Sequence, residues 1–513
     1  MRLVIVHHHL NRGGVTQVIQ NHLRALAAGP AEQRPESVLI LHDGQQEGWN
    51  PSSAEGLAVR MLIEPRLAYD RPDAKAEPEL LAGVLLAHLE QEGLSPDETL
   101  VHVHNHSLGK SVSLPGALCR LSAAGWKLLL QVHDFAEDNR PANYAHLANG
   151  LSKEPKRLGE LLYPQANHLH YATLTHHDAE LLKVAGVDSH RVHPLPNPAA
   201  EFSGPPTAEE AQARVFPKLG MSQGQRLFAY PVRGIRRKNL GEMLLLAALA
   251  SEREVFAVTL APKNPSELKS FSRWEELADR LNLPCRFGTG GRYGLAFTDT
   301  LAASEALLTT SVAEGFGMVF LEAWLAGRPL VGRDLPWITD EFRESGMRLD
   351  TLWRSLPVPL ELLDLPSTRD ALAETHRGAC RAYGVDPLST AELLVEIDSL
   401  TSGGAIDFAR LTPDQQAGLI ERVATDSELK ESLSESLGID QLLGGSAEAG
   451  AIEANAEVVR RHYSPQAIGE RLSETYQAVL QSSQGRAAPA EGGERLLRRC
   501  LSPERLHAVR LEP

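Results

Sequence analysis

The chain has 513 residues, 42% of them hydrophobic, with a formal charge of −15. That length is too great for one core and fits two or three domains of ~150 residues, while the negative balance argues against nucleic acid or an anionic membrane as main partner. Four scattered cysteines without a C-x-x-C pair exclude a disulfide framework and a thiolate zinc site, and no apolar run reaches the ~18 residues of a membrane span; the default reading is a cytoplasmic protein. The charge is also localised, because residues 391–460 hold 14 Asp or Glu against 4 Arg or Lys.

The opening LVIV at 3–6 is too short for a signal-peptide core and reads as a strand. A helix is expected over 15–28, strands at 37–41 and 99–104, and a helix over 78–92 that begins with a proline. Further helices at 111–124 and 177–185 alternate with strands at 127–132 and 170–175. Strands alternating with helices predict a parallel sheet covered on both faces. The proline-rich run 192–207 then reads as a linker, after which the alternation restarts. Strands are expected at 226–232, 254–260, 305–311 and 329–332, with helices at 239–250, 266–281 and 318–326. The fold class is therefore α/β with two doubly wound sheets. We divide the chain into an N-terminal domain 1–195, a hinge 196–207, a C-terminal domain 208–350, an acidic, mainly helical insertion 351–455, a helix within 456–482, and a tail 483–513. Ser464 is the expected N-cap of that late helix and Pro465 its first residue. The tail has the composition of a disordered end.

Parallel sheets of this kind bind ligands outside the carboxyl ends of their strands. Two stretches fall there. In EGFGMVFLEA, Glu314 follows a strand and Glu322 lies early in the next helix, with Gly315, Phe316, Gly317 and Met318 between. Glycines let the backbone approach a ligand, the helix start offers unsatisfied amides, and a carboxylate accepts from paired hydroxyls. The bland alternative is a helix cap and a solvated glutamate. In VRGIRRKN, residues 232–239, Arg233 and Lys238 flank a loop between strand and helix. Two cations beside a helix start suit a diphosphate, whereas Arg236 and Arg237 read as a solvated basic loop.

R-x-x-x-x-K-N in a strand-loop-helix setting, followed by E-G-F-G-x-x-x-x-E-A, resembles the donor half of GT-B retaining glycosyltransferases, most closely family 4 and its sucrose-phosphate synthase-like group. The likeness spans residues 1–345 and 455–481. It implies two Rossmann-like domains facing across a cleft, with the late helix crossing back to the first. Glu314 would hold hydroxyls of the donor hexose, the amides of Gly315, Phe316, Gly317 and Met318 would contact sugar and phosphate, and Glu322 would bind the ribose. Arg233 and Lys238 would neutralise the leaving diphosphate. Gly13 and Gly14, in the loop after the first strand, would face the donor, and His133 matches the family's histidine beside the donor sugar. Catalytic roles thus fall to His133, Arg233, Lys238 and Glu314. Asn105, His106, Lys110 and Arg140 would line the acceptor pocket, the two cations meeting an anionic acceptor.

The co-substrate implied is a UDP- or GDP-linked hexose, with a small soluble polar acceptor, no other cofactor, and no metal because Arg233 and Lys238 would do its work. His7, His8 and His9 do not change this, since consecutive side chains diverge. His102 and His104 alternate on one strand face and are assigned no role. Other readings are a peripheral transferase acting on lipid-linked acceptors, a non-catalytic sugar-nucleotide sensor or scaffold, and a sugar-nucleotide epimerase. One departure stands out: GRDLPWITDEF at 332–342 replaces the family's usual G-G-x-x-E turn.

Overall fold

The computed structural model describes residues 1–444 and 449–511. Two compact units emerge, Met1–Pro198 with Arg461–Leu501, and Ala199–Arg460 with Ser502–Pro513.

The first unit is built on seven strands: β1 (Arg2–Val6), β2 (Ser37–His42), β3 (Val59–Ile63), β4 (Thr99–His104), β5 (Lys127–Val132), β6 (Leu169–Thr173) and β7 (Val192–Pro194). Their order is β3-β2-β1-β4-β5-β6-β7 and every pair is parallel. Central strands buried on both faces need continuous apolar sequence, and LVIV and LLLQV supply it. β3 and β7 lie at the edges, and neither was expected from the sequence. Helix Pro465–Gln481 begins as anticipated, with the Ser464 side chain accepting from the Ala467 amide at 3.2 Å. Its Leu472, Tyr476 and Val479 complete the core formed by Leu3, Ile5, Ile19, Leu23 and Leu129. Gly469 lets it lie close to helix Gly14–Ala28, because a Cβ there would come within 3.0 Å of the Ala25 carbonyl.

The expected disorder beyond 482 does not hold over the described residues. Residues Gly493–Cys500 form a helix with Leu496, Leu497 and Cys500 buried. It packs on helix Pro155–Leu162 through Gly159 and Gly493, where a Cβ on either would meet the other's Cα at under 3 Å. Two facing glycines bring the backbones close enough to bury a short apolar face that composition alone disguises.

The second unit holds β8 (Arg226–Arg233), β9 (Glu254–Leu260), β10 (Cys285–Phe287), β11 (Ala306–Thr309), β12 (Leu330–Arg333) and β13 (Leu352–Trp353), ordered β10-β9-β8-β11-β12-β13 and parallel throughout. The stretch expected as an insertion is part of this unit's core. Helix Leu240–Leu249 is buried at all ten positions. It is covered by Leu419, Ile420 and Val423 of helix Pro413–Thr425, in one apolar cluster with Phe228, Tyr230 and Phe256 of the sheet. A helix apolar on every side is one with neighbours on every side. Its lone charge, Glu242, is fully buried and paired with Arg333, whose Nη2 is 2.6 Å away, while Arg333 Nη1 reaches Asp407 at 2.8 Å. The departure at Gly332-Arg333-Asp334 therefore places a buried guanidinium that ties the sheet to the acidic stretch.

Candidate functional site

In the second sheet the chain leaves β8 in one direction and β11 in the other, so β8 and β11 are neighbours at the point where strand order reverses. Loops leaving such a pair diverge and open a crevice at the strand ends. After β8 the chain makes a short turn, Arg236–Lys238, and Asn239 adopts a left-handed conformation with φ 47°. The loop after β11 holds this turn in place. The Val312 amide donates to the Arg237 carbonyl at 2.9 Å, and Thr310 Oγ1 and Tyr230 Oη donate to the Lys238 carbonyl at 2.9 and 3.2 Å.

This stitching brings Lys238 Nζ into an ion pair with Glu314 Oε1. Ser311 Oγ donates to the same oxygen at 2.6 Å, and Arg237 Nη2 lies 3.8 Å from Glu314 Oε2. Burial pushes the Glu314 carboxyl up, but Lys238, Arg237 and the Ser311 hydrogen bond outweigh it and hold the pKa below its ordinary value. The site is thus a buried carboxylate kept ionised among cations. Glu322, in helix Val319–Leu325, is half-buried, and burial alone pushes its pKa up. A carboxylate so placed has room to accept from a ligand's hydroxyls.

Between these glutamates, Gly317 has φ +79°, and a Cβ there would strike the Phe320 ring at 2.6 Å. Gly315 is open, with nothing within 4 Å of a Cβ built on it. The Phe316 ring is core, edge-on to Phe342 at 5.8 Å, so residue 316 offers a ligand only its backbone. Met318 is the residue just before the helix. Arg233 is exposed at the end of β8. Of the two arginines read as a solvated loop, Arg236 is tied to Glu267, its amide donating at 2.7 Å, whereas Arg237 joins the Glu314 cluster. Sequence alone could not choose between adjacent arginines.

In the first unit the reversal falls between β1 and β4. The loop after β1 leads to Gly13 and Gly14, both exposed, at the start of helix Gly14–Ala28. Asn105, φ 58°, accepts on Oδ1 from the amides of His133 at 2.9 Å and Asp134 at 3.2 Å. It fixes the turn that bears His133, whose Nε2 lies 2.9 Å from His104 Nδ1. His106 is buried, with Nε2 2.9 Å from the Leu162 carbonyl. Lys110 and Arg140 are both half-buried. Lys110 Nζ sits 5.0 Å from the centre of the Tyr69 ring, and Arg140 Nη2 is 2.5 Å from Asp134 Oδ1. Burial, then the charge of Arg140, pushes the Lys110 ammonium down, with Asp134 opposing. Tyr69 was not expected at this end of the sheet, and His104, the last residue of the strand expected at 99–104, is assigned no role by the sequence.

No protein-family model matches the chain. Among curated proteins it is similar to the mannosylglucosyl-3-phosphoglycerate synthase of Petrotoga mobilis, 25% identical over 346 residues, a span of 66% of this chain and 66% of that protein. Just under two thirds of that relative's length is therefore matched. Among solved structures it is similar to Anabaena HepE in complex with UDP-glucose, with TM-score 0.52, 11% identity and coverage of 93% of this chain and 99% of that one. It is also similar to the sucrose-phosphate synthase of Thermosynechococcus elongatus, with TM-score 0.51, 13% identity and coverage of 93% and 98%. Two parallel-sheet α/β units of seven and six strands, matched along nearly their whole length by these structures, give the chain the GT-B glycosyltransferase fold.

Proposed function

We propose that the protein is a glycosyltransferase that moves a hexosyl group from a nucleoside diphosphate sugar to a hydroxyl of a small polar acceptor. The observation that carries the reading is the Glu314 cluster. A buried carboxylate, held ionised by Lys238, Arg237 and Ser311, lies at the strand-order reversal of a parallel sheet, with Glu322 in the first turn of the helix that follows. Glu314 accepts from hexose hydroxyls, Glu322 from the ribose, and the open backbone around Gly315 approaches the phosphates. As the glycosidic C–O bond breaks, negative charge grows on the departing diphosphate. Lys238, Arg237 and Arg233 stabilise it, Lys238 from a buried position where such a charge acts most strongly. These cations take the part a divalent metal plays elsewhere. On the resemblance to retaining GT-B enzymes, the acceptor oxygen attacks from the face the diphosphate leaves and gives its proton to the departing phosphate oxygen, with retention of configuration.

His133, positioned by Asn105, meets the sugar, Gly13 and Gly14 admit the phosphates, and Lys110 and Arg140 recognise a carboxylate or phosphate on the acceptor. The curated relative's name includes such an anionic group, 3-phosphoglycerate, and HepE was solved with UDP-glucose; both support the reading. The test is release of nucleoside diphosphate from UDP-, GDP- and ADP-hexoses in the presence of phosphorylated or carboxylated polyols, with the product anomer assigned by NMR. We expect turnover with one donor, unchanged by a chelator, and an axial or equatorial linkage matching the donor's. Absence of both binding and turnover across the donor panel would overturn the proposal.

A further inference from the structure

The first unit buries a histidine cluster that the proposed transfer does not use. β4 places His102 and His104 two residues apart on one face, and His22 of helix Gly14–Ala28 packs over them. One nitrogen from each ring lies within 4.8 Å of the other two. All three rings are buried, at 2% exposure or less. Both nitrogens of His22 and Nε2 of His104 lack a hydrogen-bond partner among the described residues. A buried polar atom left unpaired costs about 1–3 kcal/mol, and native structures seldom leave several in one place without a water or ion.

The surroundings sort the remaining nitrogens. His102 Nε2 is 3.0 Å from Gln131 Oε1, an acceptor, so it bears the proton and leaves a lone pair on Nδ1, which the Tyr476 hydroxyl now meets at 2.9 Å. His104 Nδ1 is occupied by His133, so its free atom is Nε2. An outer hydrogen bond that fixes the tautomer of a ring is the usual companion of a metal-ligating histidine.

We propose that His22, His102 and His104 bind one divalent transition metal of the zinc class, with the Tyr476 oxygen beside the fourth position. Three imidazoles and no carboxylate suit zinc or cobalt and not magnesium or calcium. Zn–N bonds of ~2.0–2.1 Å set nitrogen pairs about 3.3 Å apart, so metal draws the three rings together. The ion would tie together β4, helix Gly14–Ala28 and helix Pro465–Gln481, a structural role one hydrogen bond removed from His133.

The test uses full-length, untagged protein. Metal content is measured by mass spectrometry after purification without chelator, and metal-free protein is titrated with Zn2+ and with Co2+. We expect one tight equivalent per chain, the visible absorption of nitrogen-ligated tetrahedral Co2+, and a higher melting temperature with metal. His22→Leu should abolish the tight equivalent and the metal-dependent shift, while melting no lower than metal-free wild type, since it removes two unpaired nitrogens. Wild type that takes up no tight equivalent would overturn the proposal, a water then filling the cluster. So would His22→Leu that binds as wild type does, because other histidines would be the ligands. If His22→Leu fails to fold, the wild-type stoichiometry and Co2+ spectrum still decide.

Discussion

Lys238 and Glu314 meet because two neighbouring strands end side by side, and each neutralises the other in a buried setting. Removing the cation alone has two effects that must be separated. It strands a buried carboxylate, which costs about 3–5 kcal/mol where no other partner remains; Arg237, 3.8 Å away, offsets part of that. It also removes charge stabilisation of the leaving diphosphate, for which losses of ~10²–10³ in kcat are typical of a single preorganised donor. Lys238→Met should therefore lower both melting temperature and turnover. The double change Lys238→Met with Glu314→Gln restores stability, because no buried charge is left, yet turnover stays at the low level. Recovery of turnover with stability would reduce the pair to a structural contact. The adjacent arginines give a sharper contrast. Arg237→Gln should raise the donor KM about tenfold, the worth of one charge-assisted hydrogen bond to phosphate. Arg236→Gln, whose side chain is engaged by Glu267, should leave the KM near wild type. Steady-state kinetics of the two single variants decides.

At the scale of elements, the acidic stretch after residue 350 braces the turn that presents Lys238. Gln416 Nε2 donates to Asn239 Oδ1 and to the Phe408 carbonyl, both at 3.1 Å, in full burial, and Asn239 Nδ2 donates to Glu242 Oε2 at 2.9 Å. Gln416→Leu leaves two buried acceptors unpaired. We expect a loss of about 1–3 kcal/mol in the second unit, read by urea unfolding, together with a lower kcat as the turn slackens. Stability equal to wild type would show that the acidic stretch does not brace the turn. The sequence did not reveal this link because its members are 177 residues apart and neither is part of a motif. The same limit hid His22 beside β4. What periodicity did disclose was the strands with a continuous apolar run, from LVIV to EVFAVTL, and part of the helices between them, while Pro141–Gly150, Pro155–Leu162 and Ala208–Leu219 went unread. It failed where burial is one-sided. β3 reads VRMLI and has no fully buried residue, β7 is three residues inside a proline-rich run, and β13 is two residues long. Glu314 and Lys238 could be singled out because each lies in a short strand-loop-helix stretch of its own, whereas Arg237, the second cation beside Glu314, read as solvated loop.

At the scale of the whole molecule, pH acts through groups buried in the first unit more than through the net charge, most of which sits on the surface of the acidic stretch. His8 is buried, and burial pushes its pKa down to about 4. The unfolded chain binds a proton there near pH 6.5 and the fold does not, so stability is present above 6.5 and falls as pH drops towards 4. Glu137 acts in the opposite sense. It is buried in the turn after β5, with Oε2 accepting from the Tyr163 hydroxyl at 3.1 Å, and burial pushes its pKa up to about 7. A carboxyl whose folded pKa exceeds its unfolded value leaves the fold unpenalised below pH 4.5 and costs stability as pH rises through 7. The full cost above that window is about 3 kcal/mol, from ~1.4 kcal/mol per pKa unit. Glu137→Gln keeps an acceptor for Tyr163 and removes the ionisation. It should raise the melting temperature of the first unit at pH 8 and leave it near wild type at pH 5. Hydrogen exchange of peptides covering residues 133–163 assigns the transition to that unit. Two melting curves that stay parallel from pH 5 to pH 8 would mean that Glu137 ionises in the fold as readily as in the unfolded chain, and the turn that presents His133 would then hold a charge in place of a neutral acid.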